Sequence, residues 1–372
     1  MSNANRITQA FCTVFGAIVL PVIFGATAEP QERGPLDIDI IKLSDDVYVA
    51  NRSPYWRYPV IANVTFVINQ NDVVVVDGGG LSQHSENIIA EIKRITDKPV
   101  SVVLTTHWHG DHNVGLGVYR EHYPNVRIVA QENTHLAMVG GAMDYLKLPD
   151  DFDLAERIKD HAERLQKAID DEEPPAAVEF RRLLLKDYQF IFDQYDKSVW
   201  LLADETFKNR FVLQRGERTI EFLYFGRGNT DGDAIMWLPD EKIVITGDLV
   251  VRSTPFGFGS YPQEWAETLR SIQALEYDIL VPGHGDVQHD DVYVDTLIDL
   301  LDFVSAKASE AVEIGINDVE VFRDMVDFSE FDHRLANGDP DETHFFDIWF
   351  KTPILEYALR LANGDDFTQT DF

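Results

Sequence analysis

Between residues 38 and 77 the hydrophobic positions fall in short runs, Ile38–Ile41, Val47–Ala50, Val60–Asn69 and Val73–Asp77, each bounded by polar or turn residues. Runs of this length, rich in Val and Ile, predict consecutive strands, with the NQND stretch at 69–72 as a hairpin turn. The period then changes. Ile88, Ile89, Ile92 and Ile95 recur at helical spacing over Leu81–Ile95, and Val100–Thr105 is a buried-type strand. A helix around Val114–His122 and a strand at Val126–Ala130 follow, and this alternation predicts an α/β layer arrangement.

From about His135 to Leu202 the strand signal fades. Leu154, Ile158, Ala162, Leu165 and Ile169 share one helix face, which the DDEEPP stretch at 170–175 ends, and a second helix is predicted over roughly Ala177–Tyr195. The pattern reads as a helical insertion at about 135–202, packed on the main domain. Strands return at Phe211–Gln214 and Thr219–Phe225, joined by the RGER turn, then at Ala234–Leu238 and Lys242–Thr246. A helix over Pro262–Leu275 leads to a last strand, Asp278–Val281. Beyond it Leu297, Leu301, Val304, Ala308 and Val312 share a face, so residues 291–372 read as a helical C-terminal extension. Strand-rich blocks on both sides of the helical middle predict two sheet halves within one composite domain.

Charge changes the picture of partners. With 32 Lys and Arg against 64 Asp and Glu, the net charge of −32 repels phosphate backbones and disfavours nucleic acid, leaving a small-molecule substrate. At the N-terminus, Arg6 precedes an apolar run from about Phe11 to Phe24, and Ala26-Thr27-Ala28 has the small residues of a cleavage site. Residues 1–28 therefore read as a signal peptide, with an uncleaved anchor as the other reading. The run is short for a span and Pro21 interrupts it, so no stable membrane span is expected after cleavage. The expected location is periplasmic or secreted. Cleavage removes Cys12, the only cysteine, so any metal must be held by His, Asp, Glu or Asn.

The segment LTTHWHGDHN, residues 104–113, puts His107, His109, Asp111 and His112 into six positions, directly after a strand and before a helix. Three imidazoles and a carboxylate suit Zn²⁺ or a similar borderline metal better than Ca²⁺ or Mg²⁺. HWHGDH resembles the HxHxDH signature of the metallo-β-lactamase superfamily of metal-dependent hydrolases, and further motifs agree in order. VVVVDGGG supplies Asp77, ITGDLV supplies Asp248 and VPGHGD supplies His284.

The resemblance implies an αββα sandwich over about residues 36–290, with metals at one edge between the sheets. It implies that His107 and His109 hold a first metal and that Asp111, His112 and His284 hold a second. Asp248 would bridge the two, and Asp77 would order the ligand loop. The remaining first-site ligand of the family is a histidine in a segment like GxGHT. Here FGRGNTDGD at 225–233 places Asn229 at that position. An amide oxygen is a weaker zinc ligand than imidazole. Three readings of Asn229 stay open: a weak ligand completing a two-metal site, the mark of an enzyme using only the second site, or a turn residue beside a metal-deficient centre.

The expected function is an exported zinc-dependent hydrolase with one or two Zn²⁺ per chain, in which a metal-bound hydroxide attacks the carbonyl of an ester, lactone, thioester or β-lactam. Asp111 is the candidate catalytic residue, orienting the water or moving its proton. The absent cysteine sets the chain apart from the cysteine-containing β-lactamases. The alternative is a non-catalytic metal- or ligand-binding protein that retains a degenerate site. Tyr55, Trp56 and Tyr58 are candidates to pack on a substrate or to meet the helical insertion, and Arg252 is a candidate for a substrate carboxylate or a surface ion pair. The helical segments are candidates for a homodimer contact or for shaping the pocket.

Overall fold

Seven strands pair in chain order into a first sheet: β1 (Asp39–Lys42), β2 (Val47–Asn51), β3 (Val64–Ile68), β4 (Val73–Val76), β5 (Val100–Thr105), β6 (Arg127–Gln131) and β7 (Glu205–Phe207). The first four are antiparallel and β4 to β7 are parallel. A second sheet contains β8 (Arg210–Arg215), β9 (Arg218–Leu223), β10 (Ile235–Leu238), β11 (Ile243–Ile245) and β12 (Ile279–Val281), antiparallel except for the parallel pair β11 and β12. The structure, a computed structural model, describes residues 34–52, 54–147 and 152–368, so the expected signal peptide lies outside the described residues.

The helices are α1 (Ser82–Ile95), the single turn α2 (Gly110–Asn113), α3 (Leu116–His122), α4 (Glu132–Gly140), α5 (Leu154–Asp170), α6 (Pro175–Lys197), α7 (Pro262–Gln273) and α8 (Val292–Glu313). Short helical segments from Val319 to Lys351 and a helix over Thr352–Ala362 complete the chain. Among the described residues no helix is long and apolar enough to cross a membrane.

Strand alternation explains the layers. Side chains point to opposite faces at successive positions. In β4, Val74 and Val76 join Phe222, Met236 and Ile245 of the other sheet in the inner core, while Val73 and Val75 pack on Ile88, Ile89 and Ile92 of α1. On the far side, Ile235, Trp237 and Val244 meet Trp265 and Leu269 of α7 and Leu297 and Leu301 of α8. The result is the expected αββα sandwich. Phe346, Phe350 and Ile354 of the C-terminal region belong to this same outer core, so burial of the second sheet draws on both ends of α8 and beyond.

Two local expectations differ from what forms. Val64–Ile68 alone is strand in the predicted Val60–Asn69 run. Ala62 N–H instead donates to the Asp111 carbonyl (3.4 Å) and Asn63 N–H to the Gly283 carbonyl (2.7 Å), tying this segment to two loops at the sandwich edge. β7 has only three residues and one buried side chain, Phe207, too short for an alternation to register.

Candidate metal centre

Parallel pairing brings four strand ends to one edge. β4 leads into Asp77 and its parallel neighbour β5 into His107, while β11 leads to Asp248 and its parallel neighbour β12 to His284. Loops at the carboxyl ends of parallel strands are where α/β folds commonly collect functional groups. Asn113 fixes the intervening loop by donating from Nδ2 to the carbonyls of His107 (2.7 Å) and His109 (2.8 Å). Tyr145, after α4, accepts from Gly110 N–H at 2.9 Å, a constraint that the sequence pattern does not reveal.

The candidate ligands converge in two groups. Ligand atoms of Asp111, His112, Asp248 and His284 lie within 4.8 Å of one another, as do those of His107, His109 and Asp248. Asp248 is common to both. His284 Nε2 is 2.9 Å from Asp111 Oδ2, His112 Nε2 is 3.2 Å from Asp248 Oδ1, and His107 Nε2 is 3.6 Å from Asp248 Oδ2. The other histidines, among the described residues, join neither group.

Asp77 stands behind the cluster. Its Oδ1 accepts from Thr106 N–H (2.8 Å) and its Oδ2 from His112 Nδ1 (2.8 Å), leaving Nε2 of His112 to face the carboxylates. Asp77 adopts φ 67°, a left-handed conformation that Asp and Asn tolerate better than most residues. Gly283 is required by close approach, because a Cβ there would lie 2.0 Å from Asp248 Oδ1.

Electrostatics divide the imidazoles. Burial lowers the pKa of His107 well below its ordinary value, and neighbouring His112, His109 and His284 push the same way. Burial also lowers His109. At His112 burial opposes protonation, but the carboxylates of Asp248, Asp111 and Asp77 prevail and raise the pKa well above its ordinary value. Burial works against ionisation of Asp111, yet His112 and His284 hold the carboxyl below its usual range, and the same pair holds Asp248 down.

The donor set fits a metal. Nε2 of His112 and Oδ1 of Asp248 are buried and adjacent, yet neither has a geometrically sound hydrogen bond. Buried polar atoms of this kind call for a partner, and a cation between them supplies it. Asn229 is also fully buried. Its Nδ2 donates to the Phe256 carbonyl at 2.6 Å, which orients the amide, and its Oδ1 has no hydrogen-bond partner among the described residues.

A cavity of about 570 Å³ opens onto His109, Asp111, Asp248 and His284. Tyr55 lines it, whereas Trp56 stacks on Phe345 (5.7 Å between ring centroids) and Tyr58 meets Phe180 edge-on (5.5 Å). The aromatic stretch after β2 thus serves both the cavity and the helical regions. Arg252 does not line the cavity: it is exposed, with its guanidinium over the ring of Tyr293 in α8 at 5.2 Å. Phe180, Tyr195 and Trp349 also line the cavity, and sequence reasoning singled out none of them, since each sits in a helical pattern that reads equally as packing.

An αββα sandwich with a two-part cluster of His and Asp at its edge defines the class of metal-dependent, mostly hydrolytic proteins. The family model of the metallo-β-lactamase superfamily matches residues 57–284, and the chain belongs to that superfamily. Its relatives include a linear primary-alkylsulfatase of Pseudomonas sp., 23% identical over 233 residues, covering 57% of this chain and only 39% of the sulfatase. A type 2 metallo-β-lactamase of Elizabethkingia meningoseptica is 23% identical over 278 residues, covering 73% of this chain and 87% of the relative. Among solved structures, a metallo-β-lactamase from Pontibacter korlensis has the same fold, with a TM-score of 0.50 and 18% identity over 72% of this chain and 99% of that one.

Proposed function

We propose that the chain is an exported zinc-dependent hydrolase acting on an ester, lactone, thioester or β-lactam type of bond. The observation that carries this reading is the division of the candidate ligands into two groups that share Asp248. His107, His109 and Asp248 would hold one ion, with Asn229 Oδ1 as a further ligand. Asp111, His112, His284 and Asp248 would hold the other. Neutral imidazoles with carboxylates suit zinc, which when bound supplies Lewis acidity and activates water at neutral pH.

The chain's own residues do the rest. Asp77 keeps His112 in the tautomer whose Nε2 can ligate. Asp111 is half-buried and opens onto the cavity with an ionised carboxylate, fit to orient the attacking water. A turn-forming asparagine ordinarily uses its side-chain oxygen to accept a backbone N–H. Asn229 does not, which favours ligation over a turn role. The names of the relatives cover a sulfatase and β-lactamases, so hydrolysis is what they share, and they do not choose the bond. Export rests on the sequence of residues 1–28 alone.

The test is turnover of a generic ester and a chromogenic β-lactam by protein purified without chelator, with zinc added and then removed. The expected result is activity that chelation abolishes and zinc restores, with losses of at least about 10²-fold in His107→Ala and His112→Ala. Activity indifferent to chelation and to both substitutions would overturn the reading.

A further inference from the structure

Beyond its ligand-bearing edge the cavity is built from rings. Tyr55 comes from the segment after β2, Phe180 and Tyr195 from α6, Phe256 and Phe258 from the loop after Asp248, and Trp349 from the C-terminal region. Trp349 is the hub. Its ring lies 5.9 Å from that of Tyr55, 6.3 Å from Phe180 and 6.3 Å from Phe256. Phe345 stacks behind it at 4.5 Å, and the Trp349 carbonyl accepts from Gly257 N–H at 2.8 Å. Three stretches distant in sequence from Trp349 therefore converge on its indole, and the helical insertion and C-terminal region both contribute walls.

The charges in this cavity are unevenly placed. The ionisable acids and imidazoles that line it are the four candidate ligand residues, and among the described lining residues there is no lysine or arginine. Arg252 is occupied with Tyr293 outside the lining. An anionic group away from the metal-ligand edge would lose its water without gaining a counter-charge, a costly exchange. A hydrocarbon there loses nothing and gains about fourfold in affinity for each methylene removed from water.

Resting on the hydrolase reading of the same site, we propose that the substrate carries its only charged or strongly polar group at the scissile bond. The remainder is a neutral alkyl, acyl or aryl body seated against Trp349. The cavity then discriminates by hydrocarbon length and excludes substrates with a second, distal carboxylate. Insertion and C-terminal region act together as the specificity wall.

The experiment has a turnover arm and a binding arm on the full chain. In the first, kcat/KM is measured for p-nitrophenyl acetate, butyrate, octanoate and an octanoate analogue with a terminal carboxylate. The expected result is a rise of about fourfold per added methylene and a loss of at least about 10²-fold on adding the terminal carboxylate. Trp349→Ala should lower the octanoate-to-acetate ratio by at least about tenfold, and Phe258→Ala, at a ring that is 42% exposed and outside the packed core, should lower it in the same direction.

In the binding arm, quenching of tryptophan fluorescence follows titration with butanol and octanol, which cannot be hydrolysed. Octanol should bind at least about a hundredfold more tightly. Length-dependent alcohol binding without turnover of these esters would keep the aromatic wall as a hydrocarbon-binding surface, overturn its assignment to an ester substrate, and leave the hydrolase reading to the thioester and β-lactam substrates. Turnover with a flat length series, or a preference for the terminal carboxylate, would overturn this inference and leave the hydrolase reading intact.

Discussion

Asp77 Oδ2 lies 2.8 Å from Nδ1 of His112, and both side chains are buried. The carboxylate accepts the Nδ1 proton, so Nε2 is the nitrogen turned toward Asp111 and Asp248, and it is the one that would give up its proton to a metal. Asp77→Asn tests this with little change in shape, since asparagine also tolerates a positive φ. The amide oxygen can still accept from Thr106, which turns the NH₂ toward His112 and moves the imidazole proton to Nε2. We expect metal affinity to fall 10- to 100-fold by competitive chelator titration, with the thermal midpoint of the metal-free protein changed by only a few degrees. Unchanged affinity would remove Asp77 from this role.

Gly283 makes a second, steric prediction. Its missing side chain leaves room for Asp248, and the Cβ of an alanine would stand 2.0 Å from Oδ1. The same Cβ would lie 2.8 Å from the Gly247 carbonyl carbon, so the Gly247–Asp248 backbone as well as the carboxylate common to both ligand groups must shift, and overpacking of this kind typically costs about 1–3 kcal/mol or more. Gly283→Ala should therefore fold, with reduced stability, and lose bound metal at both sites. Elemental analysis alongside a denaturant titration checks both halves. A variant with full metal content would show that Asp248 can shift without leaving its ligand position.

The layers were legible because each buried strand writes its two faces into alternate positions, as Val73 to Val76 do. The candidate site was legible because His107, His109, Asp111 and His112 are neighbours in sequence, and Asp248 and His284 follow strands with the same edge in common. The cavity was not. Trp349 meets Tyr55 and Phe180 only through packing of segments hundreds of residues apart, and nothing local marks an aromatic as lining rather than core. The loss of strand at 60–63 was hidden for the same reason: its partners are the carbonyls of Asp111 and Gly283, which the chain brings there from two other loops.

His84 predicts an acid-sensitive limb of stability. It is fully buried on α1, neither ring nitrogen has a hydrogen-bond partner among the described residues, and burial, aided by the charge of Arg52, lowers its pKa to about 3. The unfolded chain protonates this histidine near pH 6.5 while the folded chain resists, so stability is lost as pH falls from 6.5 toward 3. At pH 4.5 the loss attributable to His84 is about 3 kcal/mol. His84→Leu should be near neutral at pH 7 and should lose less stability than the wild type at pH 4.5 by about that amount, measured by urea titration at both pH values. Parallel acid limbs in the two proteins would sink the assignment.

On the hydrolase reading, Asn229 is the residue on which the number of metals turns. Its amide nitrogen is committed to the Phe256 carbonyl at 2.6 Å, and its buried oxygen has no hydrogen-bond partner among the described residues, which under the proposed function makes it a further ligand beside His107, His109 and Asp248. A neutral oxygen is a weaker zinc ligand than an imidazole, so on this reading the first site binds more loosely than the second. Two substitutions separate the cases. Asn229→Ala should release one ion per chain and leave the group around His112 and His284 loaded, whereas Asn229→His should tighten the weaker binding step by at least about tenfold. Zinc stoichiometry and stepwise affinities, measured with a competing chelator on wild type and both variants, give the answer directly. One ion in the wild type and two in Asn229→His would mean that the first site is vestigial. Hydrolysis would then depend on Asp111, His112, His284 and Asp248 around a single metal, with His107 and His109 free to move protons instead of holding an ion.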